Sequence, residues 1–482
     1  MSNRVRGSRI EQIPEPGARR SWWLREALAA EPESPATSPL DRDVTADVVI
    51  AGGGYSGLWT AYHLTERDPG LKVVVLEQDI CGGGASGRNG GLVTGWWDEL
   101  SRVVELFGED GGIDTCRALG SSIRAIGTFC ERHGVDAWYR RGGYVMTAAV
   151  PAHEGAANEV VELARRLGVG DELLPLTAQQ VRARCGSPVF GAGALMRDGA
   201  TVQPARLARG LRRVLLERQV QIFEGTKVER LRSRDPCVIE TAAGSVRAGS
   251  AVIAVNAWGA HWRELQRLTV ARGSYVTLTE PIPARLEELG WTGGECITDL
   301  RTAVHYLRTT ADGRIAFGGG GAAIGIGRSI GRTFTHDRAA VRRTVEGFRR
   351  LLPMLADVRI VDAWGGPIDV GPFHLPCFGR LGRGRAYYVT GYTGNGVGPS
   401  ELAGRVLTGL CLGQEDRWTS LPIARYEPRR FPPEPFRSSG GWLVNRAVVQ
   451  RDRQEERLGA AKPSTDFVAR LPSRLGYRLP PE

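Results

Sequence analysis

The sequence predicts an α/β fold with a Rossmann-like nucleotide-binding domain, and two distant segments predict it. Between residues 46 and 79, an apolar strand, the glycine loop GGGYSG, a helix and a second strand follow one another. Between 386 and 410, AYYVTGYTGNGVGPSELAGRVLTGL repeats the order of strand, glycine loop and amphipathic helix. A chain of 482 residues is also too long for one ordinary core, so we expect two domains.

The first glycine loop has the full context of a dinucleotide site. The run from 48 to 51 is β-branched and apolar, and the GxGxxG pattern follows it directly. In that pattern Gly52 allows a tight turn, Gly54 lets the backbone approach a pyrophosphate, and Gly57 lets the helix pack on the strand. Glu77 ends the second strand, where an acid accepts hydrogen bonds from the adenosine ribose. This context favours a ligand site over a purely structural βαβ unit.

The composition is that of a globular protein, with 42% hydrophobic and 24% charged residues. No apolar run resembles a secretory signal or a membrane span, so we expect a cytoplasmic protein. Eight scattered cysteines without a CxxC pair and seven unclustered histidines argue against a metal site. The net charge of +10 comes almost entirely from arginines spread along the chain, which does not favour a nucleic-acid partner.

The stretch CGGGASGRNGG, residues 81–91, holds six glycines in eleven residues. A flexible linker is disfavoured, because the chain continues as LVTGWW, a segment that favours burial. We expect the backbone here to run along an extended ligand, with its amides and the side chains of Ser86, Arg88 and Asn89 as polar contacts. Together with the second glycine loop near residue 394, this arrangement favours FAD over NAD.

Several motifs in register resemble one known family, the D-amino-acid-oxidase-type (DAO) flavoproteins, and most of all their gamma-glutamylputrescine oxidase branch. The resemblance begins with GGGYSGLWTAYHL and GASGRNGG and continues through AVIAVNAWGA, AVHYLRTTADGRIAFGGGG and AWGGPIDVGPFHLPCFGRL. It spans roughly residues 42–412. The resemblance implies FAD, an inserted substrate domain, and oxidation of a C–N bond to an imine.

The resemblance also implies a domain plan. A discontinuous Rossmann-like FAD-binding domain is expected from 42–120, 196–262 and 360–415, with an inserted antiparallel-sheet substrate domain from 121–195 and 263–359. Extensions at 1–41 and 416–482 are expected to wrap the surface, and GGWLVNRAVV in the second is a candidate docking helix.

The expected cofactor contacts follow from the glycine loops and the resemblance. The resemblance implies that the helix after Gly394 points at the flavin pyrimidine, that Val228 meets adenine and that Trp258 lies beside the ribityl chain. The full expected set is Gly52, Gly54, Tyr55, Ser56, Gly57, Glu77, Gln78, Ala85, Ser86, Arg88, Asn89, Gly90, Gly91, Leu92, Val228, Trp258, Gly394, Asn395, Gly396 and Val397. Relatives with covalent flavin use a cysteine or histidine where this chain has Ala363 and Trp364 or GRNGG, so we expect noncovalent FAD.

The candidate catalytic residues are His305, Tyr306 and Arg308 on a predicted hairpin and Trp364 over the flavin face. Alternation along a strand puts His305 on one face and Tyr306 with Arg308 on the other, so only one set can face the substrate. If Arg308 or Arg314 faces the flavin, its guanidinium would clamp a substrate carboxylate.

The expected function is oxidation of an amine, gamma-glutamylputrescine-like or derived from an amino acid, with dioxygen as acceptor and hydrogen peroxide as product. Sarcosine-oxidase relatives place a lysine over the flavin for the reaction with dioxygen, but Lys72, Lys227 and Lys462 all lie outside the expected substrate domain. An arginine could replace that charge. The alternatives are an acceptor-linked dehydrogenase, a biosynthetic flavoenzyme acting on a larger intermediate, and a flavoprotein without catalysis.

Overall fold

The computed structural model describes residues 20–31, 35–319, 324–325 and 330–477. Parts of the two extensions, 1–19 and 478–482, and part of the motif at 303–321 lie outside the described residues. The helices are α1 Trp22–Ala30, α2 Tyr55–Arg67, α3 Leu100–Arg132, α4 Asn158–Arg166, α5 Ala178–Cys185, α6 Pro204–Glu217, α7 Pro283–Glu288, α8 Arg338–Leu351, α9 Val397–Leu412, α10 Phe436–Leu458, α11 Pro463–Ala469 and α12 Leu471–Arg474.

The strands form two large sheets and one small ribbon. They are β1 Val44–Ala51, β2 Val73–Leu76, β3 Leu92–Thr94, β4 Tyr144–Thr147, β5 Leu173–Leu176, β6 Gly193–Met196, β7 Gly199–Thr201, β8 Gln221–Phe223, β9 Val228–Arg232, β10 Cys237–Thr241, β11 Ser245–Ile253, β12 Val270–Thr279, β13 Cys296–Asp299, β14 His305–Thr309, β15 Ile315–Gly319, β16 Ile360–Val370, β17 Cys377–Arg380 and β18 Ala386–Thr390.

The first sheet is the predicted Rossmann-like unit. Its central strands run parallel in the order β18-β11-β1-β2-β8, with β17 antiparallel at one edge and β10 and β9 branching from β11. The β-branched run 48–51 is fully buried at the centre of this sheet, as expected for a parallel strand covered on both faces. The α/β assignment from the sequence is confirmed.

The second sheet has the order β16-β12-β15-β14-β13-β4-β6-β5. It is antiparallel throughout except where β13 pairs with β4 in parallel. The predicted hairpin joins β14 to β15, and Gly313 in its turn has a φ of +77°. One face of this sheet packs on α8 through Phe317, Val345 and Phe348, which leaves the other face for a ligand.

The strand pairing differs from the expected domain plan at two boundaries. Strand β16 was expected to open the last FAD-binding segment at 360, but it pairs with β12 along almost its whole length and so belongs to the second sheet. The expected boundary at 120 falls inside α3, within the helical part that follows a break at Gly108 and continues to Arg132. Both differences have the same cause. Sequence motifs locate the loops that contact a cofactor, but they do not show which strands pair with each other or where a long helix ends.

The N-terminal extension packs more closely than expected. In the N-terminal extension Trp23 and Leu24 on α1 are 0% and 1% exposed, so this segment is part of the core instead of a surface wrap. The candidate docking helix lies within α10, where Asp452 is buried and pairs with Arg301. No helix in the described ranges is both long and apolar enough to cross a bilayer.

Helices α2 and α9, which follow the two glycine loops, pack against each other. A Cβ on Gly404 would lie 2.7 Å from the Cβ of Trp59, so the two backbones meet without a side chain between them. Below this contact the carboxylate of Glu401 is fully buried and accepts hydrogen bonds from His63 Nε2 at 3.0 Å and Arg405 Nε at 2.8 Å. Burial raises the pKa of Glu401, but the hydrogen bonds and charges of His63 and Arg405 outweigh it and lower the pKa to about 2.

This carboxylate makes stability depend on pH. Because its folded pKa lies below the usual 4.5, its contribution is complete above about pH 5 and is lost as the pH falls toward 2. We expect Glu401→Gln to lower the free energy of unfolding at pH 7 by about 3 kcal/mol, measured by urea denaturation. The difference in unfolding free energy between Glu401→Gln and the wild type should stay constant from pH 7 to 5 and become smaller below pH 5. The exposed Glu415→Gln serves as control, and equal effects of the two variants would contradict this account.

Candidate active site

A single cavity of about 1940 Å³ lies between the loops of the first sheet and the open face of the second. Its volume exceeds the ~300–1,000 Å³ of an ordinary small-molecule pocket, so it has room for an extended cofactor together with a substrate. Of the expected cofactor residues, all except Gly57 and Gly91 line this cavity. Residues from three distant parts of the chain, near 54, 88 and 395, therefore meet around one space.

The GxGxxG loop lies at one end of the cavity. A Cβ on Gly52, whose φ is +112°, would lie 2.3 Å from Ala254 O, and a Cβ on Gly57 would lie 2.0 Å from Gly52 O. Side chains are excluded at both positions by the neighbouring backbone. Gly54 lines the cavity and caps α2 without a side chain, so the positive end of that helix opens toward a ligand.

Glu77 closes the same end. Its carboxylate accepts hydrogen bonds from Gly53 N at 2.8 Å and Asp79 N at 2.9 Å. Burial raises the pKa of Glu77 to about 7 against the lowering effect of these two bonds. A buried carboxylate at the end of the second strand has the chemistry to accept hydrogen bonds from ribose hydroxyls. Val228, Lys227 and Trp258 line the neighbouring part of the cavity.

The glycine-rich segment 81–91 forms a tight loop along the middle of the cavity. A Cβ on Gly87 would lie 2.2 Å from Gly82 O, and one on Gly90 would lie 2.7 Å from the ring of Tyr306. Arg88 donates from Nε to Gly83 O at 3.1 Å and from Nη1 to Gly365 O at 3.0 Å. The glycines of this loop therefore let it pack closely against neighbouring protein as well as approach a ligand. The sequence alone did not distinguish these two roles.

The opposite end is formed by the second glycine loop. Gly394, with a φ of +91°, and Asn395 lead into α9, whose N-cap Gly396 and first residue Val397 line the cavity. Asp369 lines the cavity beside this loop, is fully buried, and accepts hydrogen bonds from Gly391 N and from Asn256 Nδ2 at 2.7 Å. Burial raises the pKa of Asp369 to about 6. The sequence analysis did not single out Asp369.

Only one of the four candidate catalytic residues lines the cavity. Tyr306 does so, and its hydroxyl lies 2.9 Å from Ser274 Oγ; burial raises its pKa to about 12. His305 faces α8 on the other side of the sheet, where its Nδ1 lies 2.7 Å from Asp299 Oδ2 and its ring packs on Phe317. Strand alternation explains the separation, since neighbouring residues of β14 face opposite ways.

Arg308 and Trp364 lie behind the glycine-rich loop and are not among the cavity-lining residues. Arg308 is 1% exposed and donates from Nε to Gly90 O at 3.0 Å. The indole of Trp364 donates to Arg88 O at 2.8 Å. The structure does not bring these two side chains, or that of Arg314, to the substrate face, because the loop carbonyls and the hairpin turn bind them instead.

The sequence analysis also missed Arg272, His374 and Arg102, which line the cavity. Arg272 on β12 lines the cavity, and its Nε and Nη2 are buried without a hydrogen-bond partner among the described residues. His374 Nε2 is also buried without a hydrogen-bond partner among the described residues. Burial, and then the charges of Arg102 and Arg272, lower the pKa of His374 well below the usual value. Arg102 pairs with Glu99 at 2.5 Å. No sequence signal could have selected Arg272, since it is one arginine among many in an arginine-rich chain.

A buried carboxyl group faces this basic corner. Asp98 lines the cavity, and its Oδ1 has no hydrogen-bond partner within the described part of the chain. Burial and then the neighbouring Glu99 raise the pKa of Asp98 well above its usual range. Unpartnered buried polar atoms are costly, and a polar ligand in the cavity would provide partners for those of Arg272, His374 and Asp98.

The donor set suits a long dinucleotide. One end of the cavity offers the N-terminus of α2 for phosphates and the Glu77 carboxylate for ribose. The other end offers the N-terminus of α9, which follows the second glycine loop. A helix N-terminus favours negative charge. The arrangement fits a flavin dinucleotide whose ring gains negative charge on reduction.

Comparisons with known proteins agree with this geometry. A family model described as FAD dependent oxidoreductase (DAO) matches residues 47–410. Gamma-glutamylputrescine oxidoreductase of Escherichia coli is 31% identical over 410 residues, covering 83% of this chain and 92% of the relative. Glycine oxidase of Geobacillus kaustophilus superposes with a TM-score of 0.65 at 19% identity, over 81% of this chain and all of that one. L-proline dehydrogenase from P. horikoshii superposes equally well, with a TM-score of 0.65 at 19% identity, over 80% of this chain and 97% of that one.

The glycine-rich loop gives a direct test of the site. We expect Gly87→Val to abolish the flavin absorbance of the purified protein, because the new side chain collides with Gly82 O and displaces Arg88 and Asn89 at the cavity. Absorbance at about 450 nm relative to 280 nm measures it. Gly440→Val on α10, where a Cβ meets nothing within 4 Å, is the control. A fully yellow Gly87→Val protein would refute the assignment.

Proposed function

Because the chain belongs to the DAO family of FAD-dependent oxidoreductases, we propose that its cavity binds FAD noncovalently and oxidises the C–N bond of an amine to an imine. One observation carries the proposal: residues expected from sequence motifs to contact FAD meet around a single cavity, although they come from distant parts of the chain. The same cavity holds polar groups that a substrate can complete.

The expected cofactor set assigns the ends of the cofactor. Glu77 and Val228 bind the adenosine, Gly54 and the N-terminus of α2 bind the pyrophosphate, and the N-terminus of α9 at Val397 faces the flavin pyrimidine. Ser86 to Leu92 run beside the ring and ribityl chain, with Trp258 close by. Gly57 and Gly91 act indirectly, since their lack of a side chain lets the loops pack.

The cysteines closest to these loops support noncovalent binding. Cys81 and Cys377 are 0% and 1% exposed and do not line the cavity. Burial raises the pKa of both thiols, for Cys377 to about 12, and a protonated thiol is a poor nucleophile. Trichloroacetic acid should therefore release all of the flavin from the purified protein into the supernatant.

The substrate that suits the cavity is an amine that also carries a carboxylate. Arg272 offers two unpartnered guanidinium nitrogens, and a carboxylate is the group that a guanidinium binds through two parallel hydrogen bonds. This favours an amino acid or a gamma-glutamyl amine over a simple polyamine. The E. coli relative that is 31% identical is a gamma-glutamylputrescine oxidoreductase, which agrees with that substrate class.

The residues of the cavity bind and orient the substrate. FAD, when bound, supplies the redox chemistry by accepting hydride from the carbon next to nitrogen. Such a step needs an uncharged amine, and the raised pKa of Asp98 disfavours the carboxylate form that would stabilise an ammonium ion. His374 stays neutral because its pKa is lowered, and its Nε2 is placed to exchange a hydrogen bond with the substrate. Tyr306, fixed by Ser274, forms the polar wall beside Gly90.

Dioxygen is the proposed acceptor, with hydrogen peroxide as the product. Arg102 and Arg272 supply buried positive charge in the cavity, which substitutes for a lysine over the flavin, since Lys227 lines the cavity beside Val228 at the proposed adenosine end. The alternative is an acceptor-linked dehydrogenase. The fold does not choose between them, since an oxidase and a dehydrogenase superpose equally well on this chain.

The deciding experiment is stopped-flow absorbance of the purified yellow protein, mixed without oxygen with amines and amino acids and then exposed to air. Bleaching by a carboxylate-bearing amine, followed by fast recolouring with peroxide, supports the proposal in full. Bleaching with slow recolouring supports amine oxidation but replaces dioxygen by another acceptor. A flavin that no amine bleaches would contradict the enzymatic assignment.

Substrate recognition by Arg272 has its own test. We expect Arg272→Met to raise KM for a carboxylate-bearing amine about 10- to 100-fold, the loss of a charged hydrogen-bond pair, with a smaller effect on kcat. Arg314→Met is the matched control, because Arg314 pairs with Asp312 outside the cavity. An unchanged KM in Arg272→Met would assign the carboxylate contact to another residue.

A further inference from the structure

The glycine-rich loop beside the proposed flavin is held from behind by side chains. Four consecutive carbonyl oxygens, those of residues 87 to 90, accept hydrogen bonds from side-chain donors. Two of the donors, Trp364 and Arg308, come from the second sheet. The other two, Ser21 and Trp23, come from the N-terminal segment, which precedes the residues 47–410 that the family model matches.

The hydroxyl of Ser21 connects the N-terminus of α1 to the glycine-rich loop. Its Oγ accepts from Leu24 N at 3.1 Å, which caps the N-terminus of α1, and it donates to Gly87 O. Ser21 is fully buried. The start of α1 is therefore fixed directly on the loop, and the next turn of the helix brings Trp23 to the same loop.

Trp23 fills the space behind the loop. Its indole N–H donates to Asn89 O at 3.0 Å. Its ring packs edge-on against Trp364 with centroids 5.6 Å apart, and the guanidinium of Arg308 lies 4.8 Å above it. Trp23 is 0% exposed and does not line the cavity, so it contacts the loop from the side away from the ligand.

The helix itself is anchored to neighbouring elements. Gln203 Nε2 donates to Trp23 O at 2.8 Å, Arg206 pairs with Glu26 through Nε at 3.0 Å, and Arg209 pairs with Glu31 at 2.8 Å. Arg25 also pairs with Asp362 on β16. These contacts connect α1 to α6 and to the second sheet, so the positions of Ser21 and Trp23 are set by rigid elements.

The bond to Asn89 O sets the orientation of one peptide unit. Across a trans peptide the C=O and N–H point in opposite directions. With the Asn89 carbonyl held on Trp23, the N–H of Gly90 points away from Trp23, and Gly90 lines the cavity. Released from Trp23, the peptide could turn its carbonyl oxygen to the ligand side and bring negative partial charge to a ring that gains negative charge on reduction.

We propose that Ser21 and Trp23 are positioning residues for the flavin, acting through the loop at 87–90 and not by contact with the cofactor. This inference rests on the proposed FAD site. The N-terminal helix is thereby an added part of the active site: it preorganises the loop so that the carbonyls of residues 87–90 face protein and the N–H of Gly90 faces the ring.

Trp23→Phe tests the proposal, because it keeps an aromatic ring behind the loop and removes only the N–H. In the yellow holoenzyme we expect the dissociation constant of FAD to rise about tenfold, the effect of one buried hydrogen bond, and the flavin midpoint potential to fall. Ser21→Ala should shift both quantities in the same direction, and Ser21→Thr, which keeps the hydroxyl, should restore them. Trp22→Phe is the matched control, since the Trp22 ring faces Arg314 and packs edge-on against the Trp23 ring, whereas the hydrogen bond to the loop comes from Trp23.

The outcomes separate the two proposals. If Trp23→Phe and Ser21→Ala keep the wild-type affinity and potential while only their melting temperatures fall, α1 supports the fold and the inference is overturned. If Trp23→Phe does not fold, the Ser21 variants decide by the same criteria. Wild-type protein that binds no FAD would overturn the proposed function itself, and this inference with it.

Discussion

The packing of α2 against α9 is the constraint on which the rest of the structure depends. Both helices begin at glycine loops, and their N-termini open into the same cavity. They can do so only because Gly404 meets the backbone of α2 directly and because Glu401 satisfies His63 and Arg405 at the buried contact. Two positive helix ends directed at one space produce a site for a long anionic ligand.

The polar groups around the cavity are of two kinds, those with hydrogen-bond partners in the described part of the protein and those without. Some are hydrogen-bonded to each other, as with Asp369 and Gly391 beside the second glycine loop or Trp364 and Arg88 behind the first. Others, including Arg272, His374 and Asp98, retain buried atoms without partners among the described residues. Because these three residues line the cavity, a polar ligand there would provide the missing partners and remove the cost of burying them.

Most of the residues that the sequence proposed for the cofactor line the cavity, whereas of those proposed for catalysis only Tyr306 does. Glycine loops such as GGGYSG and GYTGNG are local patterns in which spacing, strand and helix together determine the backbone path, and Gly54, Glu77 and Val397 line the cavity as expected. The hairpin was also predicted, yet the strand pattern left two faces open, and only Tyr306 of its candidates reaches the cavity. Arg272 and His374 carry no local signal, so their role became visible only when the second sheet placed them there.

By itself, then, the sequence determined the α/β class, the two glycine loops, the family and the kind of cofactor, because each depends on residues that are close together in the chain. Only the tertiary structure decided that β16 joins the second sheet, that Trp364 and Arg308 lie behind the loop, and that Trp23 closes it from the N-terminal helix. These are contacts between residues more than sixty positions apart. Their partners are chosen by packing and hydrogen-bond satisfaction in three dimensions, which no spacing along the chain encodes.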